Sequence, residues 1–299
     1  MKRYPLNPFS KCLGVVSAAV AALILLIPIA TFAQSEEQYT PPPPPPPASA
    51  SDTAQPVPPP PVVPTPDELD RIVGRVALYP DPLLAHVLTA VTYWDEIPEA
   101  ARWADDHSYL KGQALADAIR DDNLTWSPDV LALLPFPSVL DMMAHDPDWI
   151  RQLGEAVLAN RSAVMDAVQR TRRQARRYGY LRTTAYDTVV DSGGYIEILP
   201  VNSAWVYVPA YDPAIVFFPP RPGFVIAGAI HFGPAIVVAP FFVSWGWMHP
   251  YFEWRSHAIF FDYVPWSRTW VNRAYYVHPF AHPWVRPGLR VERHELRRR

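Results

Sequence analysis

The chain has 299 residues and a formal net charge of −3, which leaves room for two domains and argues against a surface that is polyanion-binding overall. Its single cysteine, Cys12, lies in the N-terminal leader, so the remainder holds no disulfide, no thiolate nucleophile and no cysteine metal site. The near-neutral total hides an asymmetry: residues 67–150 carry 16 acids and 5 bases, residues 151–182 carry 2 acids and 8 bases, and residues 246–299 carry 4 acids and 9 Arg.

Lys2, Arg3 and Lys11 precede an apolar run from Leu13 to Ile29, and Thr31-Phe32-Ala33 follows. These are the parts of a secretory signal peptide, residues 1–33, with cleavage expected after Ala33. The alternative is an uncleaved membrane anchor, since residues 13–33 are long enough to span. Residues 34–66 form a linker. Its stretch Pro41–Pro66 contains 14 prolines and prefers the extended polyproline II form, with a reach of roughly 80 Å. It would hold a folded domain off a membrane, or trail as a disordered arm.

A helical domain is expected over 67–182. Thr65-Pro66-Asp67-Glu68 reads as a capping box, and the same start signal recurs at Asp81-Pro82, Ser127-Pro128 and Asp146-Pro147. Helices are predicted near 66–78, 82–93, 96–106, 111–121, 128–133, 137–145 and 147–178, with Asp81 capping the second. Trp103, Trp126 and Trp149 are expected core pieces. Gly154 and Asn160 are weak points of the long last helix, and Gly179 is its expected end. Residues 77–94, ALYPDPLLAHVLTAVTYW, are too apolar to stand in water and must be covered by their neighbours.

LYPDPLLAHVLTAVTYW, Ala101–Trp103, Leu134–Met143, Asp148–Ala175 and Pro200–Phe218 together resemble the bacterial family known as domain of unknown function 3300. The likeness covers about residues 67–220. It implies an exported proteobacterial envelope protein and carries over no catalytic residue. Trp245-Gly246-Trp247 is similar to a tryptophan-glycine stretch common in that family, with less glycine than expected.

Arg170, Arg172, Arg173, Arg176 and Arg177 crowd one end of the long helix. Positions 170, 173 and 177 share one face, and 172 and 176 a neighbouring one. They form a candidate anionic-surface site for lipid headgroups, lipopolysaccharide phosphate or nucleic acid, the last disfavoured by export. The plainer reading is a solvated helix end whose charge suits the helix dipole and faces the acidic first half.

From residue 183 the pattern turns to strands. Tyr186–Val190 and Tyr195–Leu199 flank Asp191-Ser192-Gly193-Gly194, a hairpin signal. Trp205–Val208 and Ala214–Phe218 read as a third and a fourth strand, giving a small antiparallel sheet over 183–220. The fold class is therefore α+β: a multi-helix domain, a small sheet, and an aromatic-rich irregular tail over 221–299 with an Arg-rich end. Within the tail, residues 223–245 are almost uncharged. Their length allows a membrane span, but Gly233-Pro234, Ala239-Pro240 and His231 argue for short strands or turns packed on the sheet.

No Walker loop, dinucleotide fingerprint, HExxH or GxSxG is present. Ser108-Tyr109-Leu110-Lys111 matches SxxK without its companion motifs. His231, His249, His257, His278 and His282 have no metal-site spacing, and His257 and Asp262 have no readable nucleophile. No metal, no cofactor and no catalytic residue is assigned. The expected function is a non-catalytic binding or scaffold module of the periplasm or cell envelope. Its partners would be an envelope polymer, the membrane surface or an envelope protein, and not nucleic acid. The alternatives are a hydrolase of an envelope polymer using paired carboxylates, and a membrane-inserted assembly through residues 223–245.

Overall fold

The computed structural model describes residues 59–220, 223 and 226–280. The leader, most of the proline-rich linker and the Arg-rich end lie outside these residues. The α+β class and its order of helices, strands and aromatic tail hold. The helices are α1 (Pro66–Val73), α2 (Asp81–Ala90), α3 (Ile97–Asp106), α4 (Gly112–Asp121), α5 (Pro128–Leu131), α6 (Pro137–Ala144) and α7 (Pro147–Arg177). A 3-10 turn, Val91–Tyr93, extends α2.

The start signals work as local chemistry predicts. Thr65 accepts the Glu68 backbone N–H, and the Glu68 carboxylate accepts the Thr65 N–H in return. Asp146 accepts the Trp149 N–H at 3.0 Å, and Ser127 accepts that of Asp129 at 3.4 Å. Each relieves an orphan donor of a first turn. Asp81 departs from the pattern. It is the first residue of α2, Pro80 holds the cap position without a side-chain bond, and the Asp81 carboxylate turns into the core. Every residue of α2 except Pro82 is buried, as a helix apolar on all sides requires.

The two weak points of α7 behave differently. Asn160 leaves helical geometry (φ −153°, ψ 79°) and its side chain accepts the Ala163 N–H at 3.0 Å, so it caps a second helical segment. The Leu158 carbonyl freed by the break accepts the Trp270 N–H from the tail. Gly154 stays helical, and its missing side chain lets α7 press on the end of α2: a Cβ would lie 2.8 Å from the Trp94 ring and against the Val91 carbonyl. Gly179 takes a left-handed φ of +81° just after the helix. Trp149 is buried and donates to the Ile72 carbonyl at 2.8 Å, while Trp103 and Trp126 are half-buried at the edge of the core.

The strands pair antiparallel but do not join one sheet. β1 (Asp187–Ser192) and β2 (Tyr195–Pro200) form the predicted hairpin, turned by Gly193 and Gly194 with φ of +61° and +90°, the left-handed pair that a tight two-residue turn demands. β3 (Trp205–Val206) and β4 (Pro209–Tyr211) find their partners in the tail: β3 pairs with β6 (Ile236–Val237), and β4 with β5 (Ile230–Phe232). The fourth predicted strand is instead a helical turn, α8 (Pro213–Val216), because Asp212 accepts the Ala214 N–H at 2.8 Å and Pro213 starts a helix. β7 (Tyr251–Glu253), β8 (Ala258–Phe261) and β9 (Val264–Pro265) make a fourth, separate sheet.

One apolar core runs from Leu69 to Phe280 and draws on helices, hairpin and tail alike. Residues 226–245 contribute β5, β6 and 3-10 turns, with Val238, Phe242 and Trp245 buried. Among the described residues no helix is long and apolar enough to cross a membrane.

Gly154→Ala tests the close approach of α7 to α2. In an open helix this change gains up to about 1 kcal/mol; here the added methyl collides, and urea denaturation is expected to show a net loss of about 1–3 kcal/mol. A gain would mean the two helices can part without cost.

Candidate functional site

Five arginines were candidates for one surface, and the structure sorts them by partner. Arg172 is 0% exposed. Its Nε donates to the Ala77 carbonyl (2.8 Å), Nη1 to Asp81 Oδ1 (2.6 Å) and the Ile196 carbonyl (2.8 Å), and Nη2 to the Tyr79 carbonyl (3.0 Å). The indole of Trp254 faces the guanidinium at 5.1 Å and its Nε1 donates to Asp81 Oδ2 at 3.2 Å. The Ile198 N–H completes the set on Asp81 Oδ1 at 3.3 Å. Burial raises the Asp81 pKa and the Arg172 charge pulls it back. All three of its partners donate, so the arrangement needs the carboxylate form. Arg172 thus leaves the candidate surface: a fully enclosed guanidinium cannot meet an outside anion.

Arg170 binds Asp70 through Nε (3.0 Å) and Nη2 (2.7 Å) and fastens α1 to α7. Arg176 pairs with Asp191 at 2.7 Å, next to the β1–β2 turn. Arg173 and Arg177 stand exposed at the helix end. Beside them, Gln169 clasps the Ile196 backbone with both amide groups, at 2.8 and 3.0 Å. This end of α7 is chiefly a dock for β2.

A second polar group lies where the tail meets α2 and α5. His278 Nδ1 accepts the Phe280 N–H (3.3 Å), so its Nε2 carries the proton toward Asp129 Oδ1 at 2.7 Å. Both side chains are enclosed, and Asp129 Oδ2 has no partner. His86 is 0% exposed, wrapped by Trp247, Phe261 and Phe280. Neither of its ring nitrogens reaches hydrogen-bond geometry, the Gly246 backbone included. Burial, and then the proximity of His278, hold its pKa well below the ordinary imidazole value. Trp247 seals this region: its indole donates to the Ala132 carbonyl at 2.8 Å and stacks on Phe136. Gly246 is required between the two tryptophans, because its φ is +91° and a Cβ would strike the Phe280 ring.

The other histidines scatter. His257 Nε2 lies 2.9 Å from Asp166, His249 lies 3.8 Å from Asp262, and His231 is exposed on β5; His282 is outside the described residues. Among the described residues no three His, Cys, Asp or Glu side chains are placed to hold a metal ion. Ser108 and Lys111 do not converge: Ser108 lines an open groove between α3 and α6, and Lys111 lines a different one.

The carboxylates whose pKa is raised are partly or fully buried. Burial pushes Glu96 up to about 7 against the Ser127 N–H that it accepts at 2.6 Å. Burial, and then the Asp81 charge, push Asp187 up to about 7. Asp187 borders a cavity of about 60 Å³ together with Tyr180, Thr184 and Ile198. That space is far below the several hundred Å³ of a typical ligand site. Among the described residues Asp187 is the one carboxylate lining this cavity, and neighbouring Asp81 is enclosed by Arg172 and Trp254.

The groove between α3 and α6 and a more apolar groove beside β6 each hold about 710 Å³, and the second is the one built from distant segments. Its lining comes from the start of α4 (Gly112, Gln113, Leu115), from Pro135 and Pro137 before and within α6, and from β6 with Phe241 and Phe242. Leu115 and Phe242 are buried and the rim at Lys111, Gln113 and Ala235 is exposed. β6 pairs only with β3 among the described residues, which leaves its second edge without a strand. Local pattern could not reveal this groove, since its walls, the start of α4 and β6, come from distant parts of the sequence.

A family model described as "Protein of unknown function (DUF3300)" matches residues 65–282. The "Uncharacterized protein YacH" of Escherichia coli (strain K12) is 31% identical over 182 residues, a match covering 50% of this chain and 29% of that protein. The chain therefore aligns with under a third of that relative's length. No solved structure matches.

Removing one member of a buried ion pair strands the other, so Arg172→Met is expected to lower stability by about 3–5 kcal/mol in urea denaturation. The pH dependence has two opposed parts. Below about 6.5 the unfolded chain binds a proton that enclosed His86 refuses, so this imidazole lowers stability as pH falls. Glu96 and Asp187 act oppositely: folded, they bind protons from about 7 downward, so their burial cost fades as pH falls toward the ordinary carboxylate range. His86→Leu isolates the first part. Below pH 6.5 the stability of wild type relative to this variant should drop by up to about 1.4 kcal/mol per pH unit; a pH-independent gap would show that His86 protonates as freely when folded.

Proposed function

The chain belongs to the DUF3300 family of proteins of unknown function, and we propose that it works as an exported binding module of the cell envelope. The groove beside β6 grips an extended segment of another envelope protein. The observation that carries this reading is the pairing of an apolar groove of about 710 Å³ with a strand whose outer edge is open. An extended peptide laid along that edge gains backbone hydrogen bonds from β6, while its alternate side chains enter the apolar floor at Leu115 and Phe242. Prolines 135, 137 and 234 add rigid walls that lose little entropy on binding.

Two further features support the reading. The buried acid–base side chains Asp129, His278 and Asp81 are engaged in joining segments of the chain. The positive start, apolar run and Thr31-Phe32-Ala33 of the leader support export, and the prolines of residues 41–66 support a spacer between an envelope surface and the folded part. Arg173 and Arg177 leave room for a weak secondary contact with anionic headgroups.

A photo-crosslinking residue placed at Gln113, on the groove rim, is expected to trap a discrete envelope protein in living cells, and Ala235→Trp, which fills the groove, is expected to abolish the adduct. The same residue at Tyr109, exposed outside the groove, serves as control. Equal adducts at both positions, or adducts that persist in the filled variant, would overturn the groove assignment. N-terminal sequencing of the mature protein is expected to begin at Gln34; an intact leader would replace the secreted form by an anchored one.

A further inference from the structure

The ladder β7–β8–β9 has an inner and an outer face, as period-two alternation requires. Phe252, Ile259 and Phe261 point inward and are buried. Tyr251 and Phe260, direct cross-strand partners, lie on the outer face, where their rings stack in parallel (5.0 Å, 5°). The turn from β8 to β9 consists of Asp262 and Tyr263 alone, with Phe261 and Val264 paired on either side.

Both turn residues are left-handed, with φ of +48° and +65°. Such a turn favours Asn and Gly, and a bulky side chain in it carries backbone strain. Tyr263 gives the fold little in return, since it is 70% exposed. Its ring lies 6.3 Å from that of Tyr251 and 5.4 Å from that of His249. A strained residue that holds an aromatic ring out into solvent beside other aromatic rings points to a surface role.

We propose that the outer face of β7–β9 is a carbohydrate platform that takes the pyranose rings of a neutral glycan. This site is separate from the groove beside β6 and goes beyond that reading. The chemistry of the rim selects the ligand. The Asp262 side chain is 38% exposed, with its buried Oδ1 turned toward His249 Nδ1 at 3.8 Å, and Glu253 is exposed on the same face. An apolar partner or a lipid interior would cover these acceptors without supplying donors, which is unfavourable. An anionic partner is repelled by both carboxylates. A sugar ring lays its C–H face on Tyr251 and Tyr263 and turns its hydroxyl groups, each a donor, toward Asp262 and His249.

The test is calorimetric titration of the full chain with neutral tetrasaccharides of N-acetylglucosamine and of glucose, beside vesicles of neutral and anionic phospholipid. Tyr263→Gly separates folding from binding, because glycine relieves the left-handed backbone and removes the ring. This variant is expected to melt at a higher temperature than wild type yet to bind at least tenfold more weakly. Ala235→Trp, in the groove, is expected to bind sugar as wild type does, so the two sites stand or fall separately. The proposal is overturned if neither tetrasaccharide binds, if Tyr263→Gly binds as tightly as wild type, or if vesicles bind and sugars do not.

Discussion

A guanidinium with no exposure to water sits at the junction of the whole structure. Arg172 accounts for two backbone carbonyls of the turn before α2, for one carbonyl of β2 and for the Asp81 carboxylate. Trp254, from the far end of the chain, closes over both charges. A buried ion pair is not in itself a strong source of stability, because desolvation of both groups offsets their attraction. Its value here is geometric. Four acceptors from two separate segments, residues 77–81 and β2, can be satisfied together by a side chain of α7 only when the turn, α7 and the hairpin take one mutual placement. The charge therefore specifies an arrangement that apolar packing alone would leave degenerate.

Around this junction the tail is a structural member. Trp247, His86, Phe261 and Phe280 interlock where α2 meets the last described residues, and β5 and β6 complete ladders that β3 and β4 cannot form alone. Arg161, just beyond the break in α7, donates to the carbonyls of His257 and Trp266 at 3.0 Å. The kink, the freed Leu158 carbonyl and these two bonds belong together: a straight α7 would present neither Leu158 nor Arg161 to the tail in this way.

The legible part of the fold was its local chemistry. Thr65, Ser127 and Asp146 announce helices because a cap satisfies neighbours two or three residues away, and Gly193-Gly194 announces a hairpin because only certain backbones turn so tightly. Asp81 carries the same signal and uses it otherwise, since a partner 91 residues distant outcompetes a local cap. Asp212-Pro213 carried the helix signal too, yet the β-branched and aromatic run behind it favoured a strand. The arginine cluster was visible as composition, but its division into a buried member, two paired members and two exposed ones depends on α1, α2 and the hairpin. The groove and the aromatic face are long-range constructions within a stretch whose local pattern reads as irregular.

The break in sequence distance between Asp81 and Trp254, 173 residues, bears on how the protein is made. The helices are synthesised first, and His86 and Asp81 emerge long before Trp247, Trp254 and His278. For most of translation, the apolar α2 lacks its lid and the first charges lack their last partner, so the nascent chain carries a sticky, half-finished interior. The lid over α2 and the last partner of Asp81 thus become available only once residues 247–280 have been made.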